Sequence, residues 1–270
     1  MGALDSGPEA AGLRAVPGEP GAVRAVLDPD HTWFREHVVR GRRILPGVVW
    51  LELAFRGLDL VHPGARVHGV ADGAWLRPVP GDEPLDLVLR FRVAPDGRTA
   101  GYTIDNHGLR CGLGTLQLTP QDRPPSVPTA VRDRIAEDSR SHFTRREIYT
   151  EFAAMGIDYG PHFRRISYVQ RLGQASLALL TGNDGIRLEP VPLLDCAFQA
   201  GMAISIGEHR DSLMPFSLGQ LVVHRPPAFP LPSAFVLTEK HSPFRTGCTV
   251  YDDGYEPLLS VFDLGVKPAR

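Results

Sequence analysis

Lysine is almost absent from this 270-residue chain: Lys240 and Lys267 are the only two, and arginine supplies the other basic side chains. That skew reads as the coding bias of a GC-rich genome. A large net charge is missing too, at −2 near neutral pH. The balance argues against a nucleic-acid-binding domain, which needs a strongly basic face, although a local basic patch stays open. Cysteine is scarce. Cys111, Cys196 and Cys248 are odd in number and irregularly spaced, which fits neither a disulfide framework nor a zinc site and points to a reducing, cytoplasmic setting. Long hydrophobic runs are also missing. The most apolar stretch, Ile44 to Phe55, is broken by Pro46, Gly47 and Glu52 and falls short of the roughly 20 residues a membrane span requires. The N-terminus has neither the basic region nor the apolar core of a signal peptide.

Apolar residues at 43% and charged residues at 22% are ordinary globular values, so the chain can bury a core. Its length allows one large or two small domains. The 28 glycines and 25 prolines are many and spread out, which implies frequent turns and a β-rich architecture. Residues 1–21, rich in Gly, Pro and Ala, read as a flexible lead-in. Thr119 to Thr129 carries four prolines, and with the charged run after it forms a linker over 121–142. That division leaves an N-terminal unit over 22–120 and a C-terminal unit over 143–270.

The two units repeat one plan. In the first, Ala22–Leu27 reads as a strand and Ile44–Phe55 as a helix opened by Pro46, with Gly57 just past its end. The alternation of Leu85–Val93, the turn at Pro95-Asp96-Gly97, and then Thr99–Ile104 and Leu109–Leu118 predict a run of strands. In the second, Thr144-Arg145-Arg146-Glu147 is a capping box opening a helix to about Met155, and Ile166–Leu180 is strand-like. A second apolar helix runs from Pro192 to Ile204. Strands follow at Phe216–Val223, Phe235–Lys240, Cys248–Tyr251 and Pro257–Val266, with a hairpin at Asp253-Gly254. Both long helices are apolar on almost every side, so each must be surrounded. Two buried helices, each wrapped by an antiparallel sheet, are the pattern of an α+β double hotdog.

Asp195 and Gln199 lie four apart, on one face of the second apolar helix. A buried carboxyl there is either paired structurally or kept protonated for use, and position alone leaves both open. His37 stands before the first helix, in a loop where Gly41 permits a tight turn and Pro46 starts the helix, leaving the amides of Gly47 and Val48 unpaired nearby. An imidazole can take a proton at neutral pH, and a helix N-terminus stabilises negative charge on a carbonyl oxygen. Tyr159-Gly160-Pro161 sits in a turn-rich loop between these motifs. Met214-Pro215-Phe216-Ser217 alone marks a strand start. A metal site from His31, Glu36 and His37 lacks regular spacing, so no metal is expected. Cys196 reads as core filler, and His162 has no assigned role.

Each motif is weak alone, but their order is not. His37, Gly41 and Pro46 match His-x3-Gly-x4-Pro; Tyr159, Gly160 and Pro161 match Tyr-Gly-Pro; Asp195 and Gln199 match Asp-x3-Gln/His. In this order over about 22–268 the chain resembles the dehydratase domains of modular polyketide synthases, which are double hotdogs. It departs from their usual pattern at Ile157, where an aromatic residue is customary, at Leu218, where tryptophan follows Pro-Phe-Ser, and in the segment before the first strand. These departures bear on tunnel shape more than on chemistry.

The resemblance implies loss of water from a β-hydroxyacyl group on an acyl carrier protein, giving an α,β-enoyl thioester without metal or organic cofactor. His37 would remove the α-proton, the Gly47 and Val48 amides would polarise the thioester carbonyl, and Asp195 would protonate the leaving hydroxyl. Gln199 would orient Asp195 or the hydroxyl, and Tyr159 would add a hydrogen bond. Arg40, Arg42 and Arg43 are candidates for contact with the phosphopantetheine phosphate or an acidic carrier surface, against the plainer reading of a solvated loop. A homodimer and other synthase domains are the further partners implied. Same-fold rivals close cyclic ethers or aromatic rings or shift a double bond, and a rival of another class is a silent acyl-binding or structural domain. Both a free-standing enzyme and one domain of a larger synthase fit the sequence.

Overall fold

A computed structural model describes residues 12–120, 142–182, 188–204, 206, 213–226 and 229–268. Most of the linker at 121–142 and residues 1–11 of the lead-in lie outside them. The first half contains β1 (Gly12–Ala15), β2 (Ala22–Leu27), α1 (Thr32–Arg35), β3 (His37–Val39), β4 (Arg42–Arg43), α2 (Gly47–Val61), β5 (Gly69–Trp75), β6 (Leu85–Val93), β7 (Thr99–Asn106) and β8 (Leu109–Gln117). The second contains β9 (His142–Thr144), α3 (Arg145–Ala154), β10 (Ile157–Tyr159), β11 (Ile166–Leu172), β12 (Ala175–Thr181), α4 (Pro190–Ala203), β13 (Leu213–Val223), β14 (Ser233–Ser242), β15 (Arg245–Tyr251) and β16 (Pro257–Pro268).

Each half wraps an antiparallel sheet around one long helix, α2 or α4, in the double-hotdog arrangement. The two sheets are continuous, in the order β1-β2-β6-β7-β8-β5-β13-β16-β15-β14-β12-β11-β9. The seam between halves is β5 against β13, from Gly69↔Val222 to Ala74↔Ser217. Small residues make that approach possible: a Cβ at Gly69 would overlap the Leu221 carbonyl, and one at Gly73 would meet Leu218 Cβ at 3.2 Å. β5 escapes a sequence reading for the same reason. Gly-Val-Ala-Asp-Gly-Ala-Trp has few large apolar residues, and its alternation is broken by a bulge between Ala71 and Ala74.

α2 buries Val49, Leu51, Leu53 and Leu58 completely or nearly so. At about 1.5–3 kcal/mol for each such side chain, packing rather than helix propensity holds it, and Leu53→Ala should cost about 2–5 kcal/mol. The helix does not end before Gly57 but runs through it to Val61. Gly57 serves close packing: a Cβ there would meet the Phe91 ring at 2.9 Å. α3 starts as its sequence signals, with Thr144 as N-cap and a complete capping box with Glu147. Two further corrections concern short strands. Gly12–Ala15, read as part of a flexible lead-in, pairs with β2 from Gly12↔Val26 to Ala15↔Val23. The Ile166–Leu180 run is a hairpin turning at Gly173, whose φ of +70° suits glycine.

Candidate active site

A second, small sheet of order β10-β3-β4 brings two of the motifs together. β3 and β4 form a hairpin whose two central residues, Arg40 and Gly41, have φ of +50° and +73°. Positive φ at both positions is the type I′ geometry that suits the twist of a two-residue hairpin. The Tyr-Gly-Pro loop reaches the same sheet through β10, which pairs antiparallel with β3 and sets Tyr159 directly opposite His37. Their rings meet edge to face at 5.5 Å, and Phe163 packs against His37 at 6.0 Å.

Glu36 locks this pairing, a role sequence reasoning missed. Its backbone carbonyl accepts from Gly160 N at 2.8 Å, and its carboxylate takes His162 N at 2.6 Å and His162 Nδ1 at 2.8 Å. Gly160 is obligatory here, because a Cβ would overlap the Glu36 side chain. Glu36, one of the three residues weighed for a metal site, is engaged with His162 instead. Nδ1 of His31 caps α1 at Trp33 N, and no group of three metal-binding side chains occurs among the described residues.

His37 is 8% exposed, and its Nδ1 lies 2.8 Å from the Ile44 carbonyl oxygen. A carbonyl only accepts, so Nδ1 carries the hydrogen and Nε2 is left as the basic nitrogen. Asp195 is 6% exposed on α4, with Oδ2 accepting from Gln199 Nε2 at 2.7 Å. Burial raises the Asp195 pKa, while nearby His37 and the Gln199 hydrogen bond pull it back. Gln199 is fully buried and is itself held at both ends of its amide. Nε2 also donates to the Phe163 carbonyl at 3.1 Å, and Oε1 accepts from Tyr149 Oη at 3.0 Å. Tyr149 Oη in turn accepts from Ile166 N at 3.2 Å. This chain fixes which face of the amide meets Asp195. Tyr149 was invisible as a site residue because it looks like an ordinary apolar position of an amphipathic helix.

His37, Tyr159 and Asp195 line one cavity of about 570 Å³, together with Gly47, Trp50, Trp75 and Phe198. Trp75 Nε1 donates to the Gly47 carbonyl at 2.7 Å and so fixes the entry to α2. Pro46 caps that helix without a side-chain bond, and with Val49 N turned back to the Pro46 carbonyl at 3.0 Å the Gly47 and Val48 amides are the donors left to the first turn. Gly47 borders the cavity; Val48 is buried outside its lining. The arginines of the hairpin are not there either. Arg42 faces Asp82 at 3.6 Å, Arg43 faces Asp30 at 3.4 Å, and neither they nor Arg40 belong to the lining. The cations that do border the cavity are Arg77 and Lys267. Met214 and Pro215, read only as a strand start, line it too.

This constellation joins an imidazole with Nε2 free of the Ile44 contact, a carboxyl whose pKa burial raises, and a cavity between two halves. A family model described as polyketide synthase dehydratase N-terminal domain matches residues 128–269, and a second, polyketide synthase dehydratase domain, matches 17–107. The chain belongs to the polyketide synthase dehydratase family. Among curated relatives, polyketide synthase PksN of Bacillus subtilis is 30% identical over 218 residues, covering 74% of this chain. Pikromycin synthase component PikAII of Streptomyces venezuelae is 29% identical over 228 residues, again 74% of this chain. The chain spans only 4% of the first of these and 6% of the second. Among solved structures, the dehydratase domain of the CurF module of curacin synthase superposes with a TM-score of 0.80 at 18% identity, covering 97% of this chain and 99% of that one. A trans-AT dehydratase domain from Brevibacillus brevis gives 0.81 at 18% identity, covering 96% and 98%. No helix among the described residues is long and apolar enough to cross a membrane.

Proposed function

We propose that the chain removes water from a β-hydroxyacyl thioester delivered by an acyl carrier protein. The observation that carries this reading is the meeting of His37 and Asp195 on one cavity, with the His37 ring oriented by the Ile44 carbonyl and the Asp195 pKa raised by burial. His37 Nε2 takes the α-proton while the first-turn amide of Gly47 steadies charge on the thioester oxygen. The electron pair of that C–H bond becomes the Cα–Cβ double bond, the C–O bond at the β-carbon breaks, and Asp195 gives its proton to the departing hydroxide. The products are an enoyl thioester and water, with His37 protonated and Asp195 ionised; a proton passing from imidazolium to carboxylate resets the site.

Gln199 holds Oδ2 of Asp195, so that the carboxyl addresses the substrate through its other oxygen, and Tyr159 closes the site over the hydroxyl. The phosphate of the carrier's arm would meet Arg77 and Lys267 at the cavity, in place of the hairpin arginines. Among the fold's solved relatives are His→Phe and Asp→Asn variants of the CurK dehydratase described as inactive, which supports a His and Asp pair as the chemistry of the fold. The test is mass spectrometry of a β-hydroxyacyl thioester with the protein, run also from the enoyl side. Loss or gain of 18 mass units, as expected for about one water, should require both His37 and Asp195. A change that persists in His37→Ala would refute the assignment.

A further inference from the structure

One short segment of the Tyr-Gly-Pro loop, residues 160–163, is gripped from both sides of the cavity. On one side the grip is Glu36, the residue before His37. Its backbone carbonyl accepts from Gly160 N at 2.8 Å, and its carboxylate accepts from His162 N at 2.6 Å and His162 Nδ1 at 2.8 Å. On the other side the grip is α4. The Phe163 carbonyl accepts from Cys196 Sγ and Gln199 Nε2, each at 3.1 Å. Cys196 follows Asp195 in the chain, and Gln199 holds Asp195 Oδ2. Burial pushes the Cys196 thiol pKa up, so the sulfur keeps the hydrogen it donates. The two grips fall on adjacent residues, His162 and Phe163.

The segment between the grips is stiff. Phe163 N and Arg164 N both close onto the Gly160 carbonyl, at 3.0 and 3.1 Å, and Arg164 Nε donates to the Tyr159 carbonyl at 2.6 Å. Pro161 fixes its own φ, and Phe163 is fully buried with its ring 6.0 Å from that of His37. A stiff link between two reacting groups sets their separation, and an elimination that takes a proton at one carbon and gives one at its neighbour needs that separation held. We propose that Glu36 and Cys196 are positioning residues, which act through residues 160–163 to hold His37 and Asp195 at the spacing that couples α-proton removal to loss of the β-hydroxyl. The inference rests on the dehydratase reading for the two steps it couples. Cutting the strut leaves His37 its bond to Ile44 and Asp195 its bond to Gln199, so each group survives singly.

The test follows two rates on the full chain with a β-hydroxyacyl pantetheine thioester in D₂O: deuterium entry at the α-carbon of recovered substrate, and release of water. Mass spectrometry reads both. The ratio of deuterium entry to water release should rise roughly tenfold in Glu36→Ala and roughly threefold in Cys196→Ala, where Gln199 still grips the Phe163 carbonyl. Conservative variants should bring the ratio back towards the parent's: Glu36→Gln keeps an oxygen for His162 N, and Cys196→Ser keeps a hydrogen for the Phe163 carbonyl. Leu53→Ala, a change to the core alone, should lower both rates in proportion and leave the ratio where it was. If Glu36→Ala fails to fold, the two Cys196 variants decide, because the strut is gripped from both sides. A parent that releases water beside folded alanine variants whose ratio is unmoved or lowered would overturn the proposal alone. A parent that neither exchanges nor releases water would overturn the dehydratase reading and the proposal with it.

Discussion

The two halves of the molecule share a plan and differ in what they bring to the cavity. Each buries a long helix in an antiparallel sheet, and each helix carries a buried acid at its sixth residue, Glu52 in α2 and Asp195 in α4. Only Asp195 lines the cavity. The first half contributes His37 from outside its helix, on the hairpin that leads into it, where the ring is fixed by Ile44. The second half contributes from the helix itself and adds the loop that closes over His37. The difference teaches that two copies of one architecture, fused along β5 and β13, bring unlike side chains to one cavity.

The largest effects should come from breaking that division. His37→Ala and Asp195→Asn should each lower turnover by roughly 10² to 10⁴, the usual worth of a positioned acid or base. Glu52→Gln, at the matching position of the other helix, should leave turnover within a few-fold; steady-state kinetics on the three variants side by side would show whether the symmetry is only architectural.

Next in size is the junction between motifs. Gly160→Ala places a Cβ against Glu36 and should destabilise the fold by about 1–3 kcal/mol in urea denaturation. Gly41→Ala meets open space at φ +73° and should cost only the roughly 1–2 kcal/mol of a left-handed residue. Equal losses of activity relative to stability in both would deny Glu36 its special role.

Asp195 also predicts a pH dependence. Its folded pKa is raised, chiefly by burial, so the folded state holds that proton more tightly than the unfolded chain. The sign follows: its contribution is fully present below the ordinary carboxylate pKa and is lost as pH rises through the raised value. Asp195→Asn should therefore be more stable than the parent above that window and no more stable below it, by denaturation at several pH values. Smallest of all should be Tyr149→Phe. The bond to Gln199, worth about 1 kcal/mol, is lost together with the one the hydroxyl accepts from Ile166 N, so turnover should fall by roughly fivefold with thioester binding unchanged.

Much of this was legible in the sequence because single residues carried strong local meaning. Pro46 marked the first helix, Thr144 and Glu147 the start of α3, and the alternation of Leu85–Val93 gave β6 its bounds. Motif order singled out His37 and Asp195, and both line one cavity. What was not legible depended on partners distant in the chain. Glu36 acquires its role only when His162, 126 residues on, folds against it. Tyr149 meets Gln199, 50 residues away, and Arg77 and Lys267, which border the cavity where Arg42 and Arg43 do not, are linked by no local pattern. Gly57 misled because a glycine that admits the Phe91 ring looks the same as one that ends a helix.

The division of labour between halves is tested most directly by hydrogen exchange at the α-carbon. A β-hydroxyacyl thioester is incubated in D₂O with each variant and followed by mass spectrometry against a protein-free control. The account predicts that Asp195→Asn still places deuterium at the α-carbon without releasing water, while His37→Ala does neither. Exchange that survives removal of His37 would contradict it.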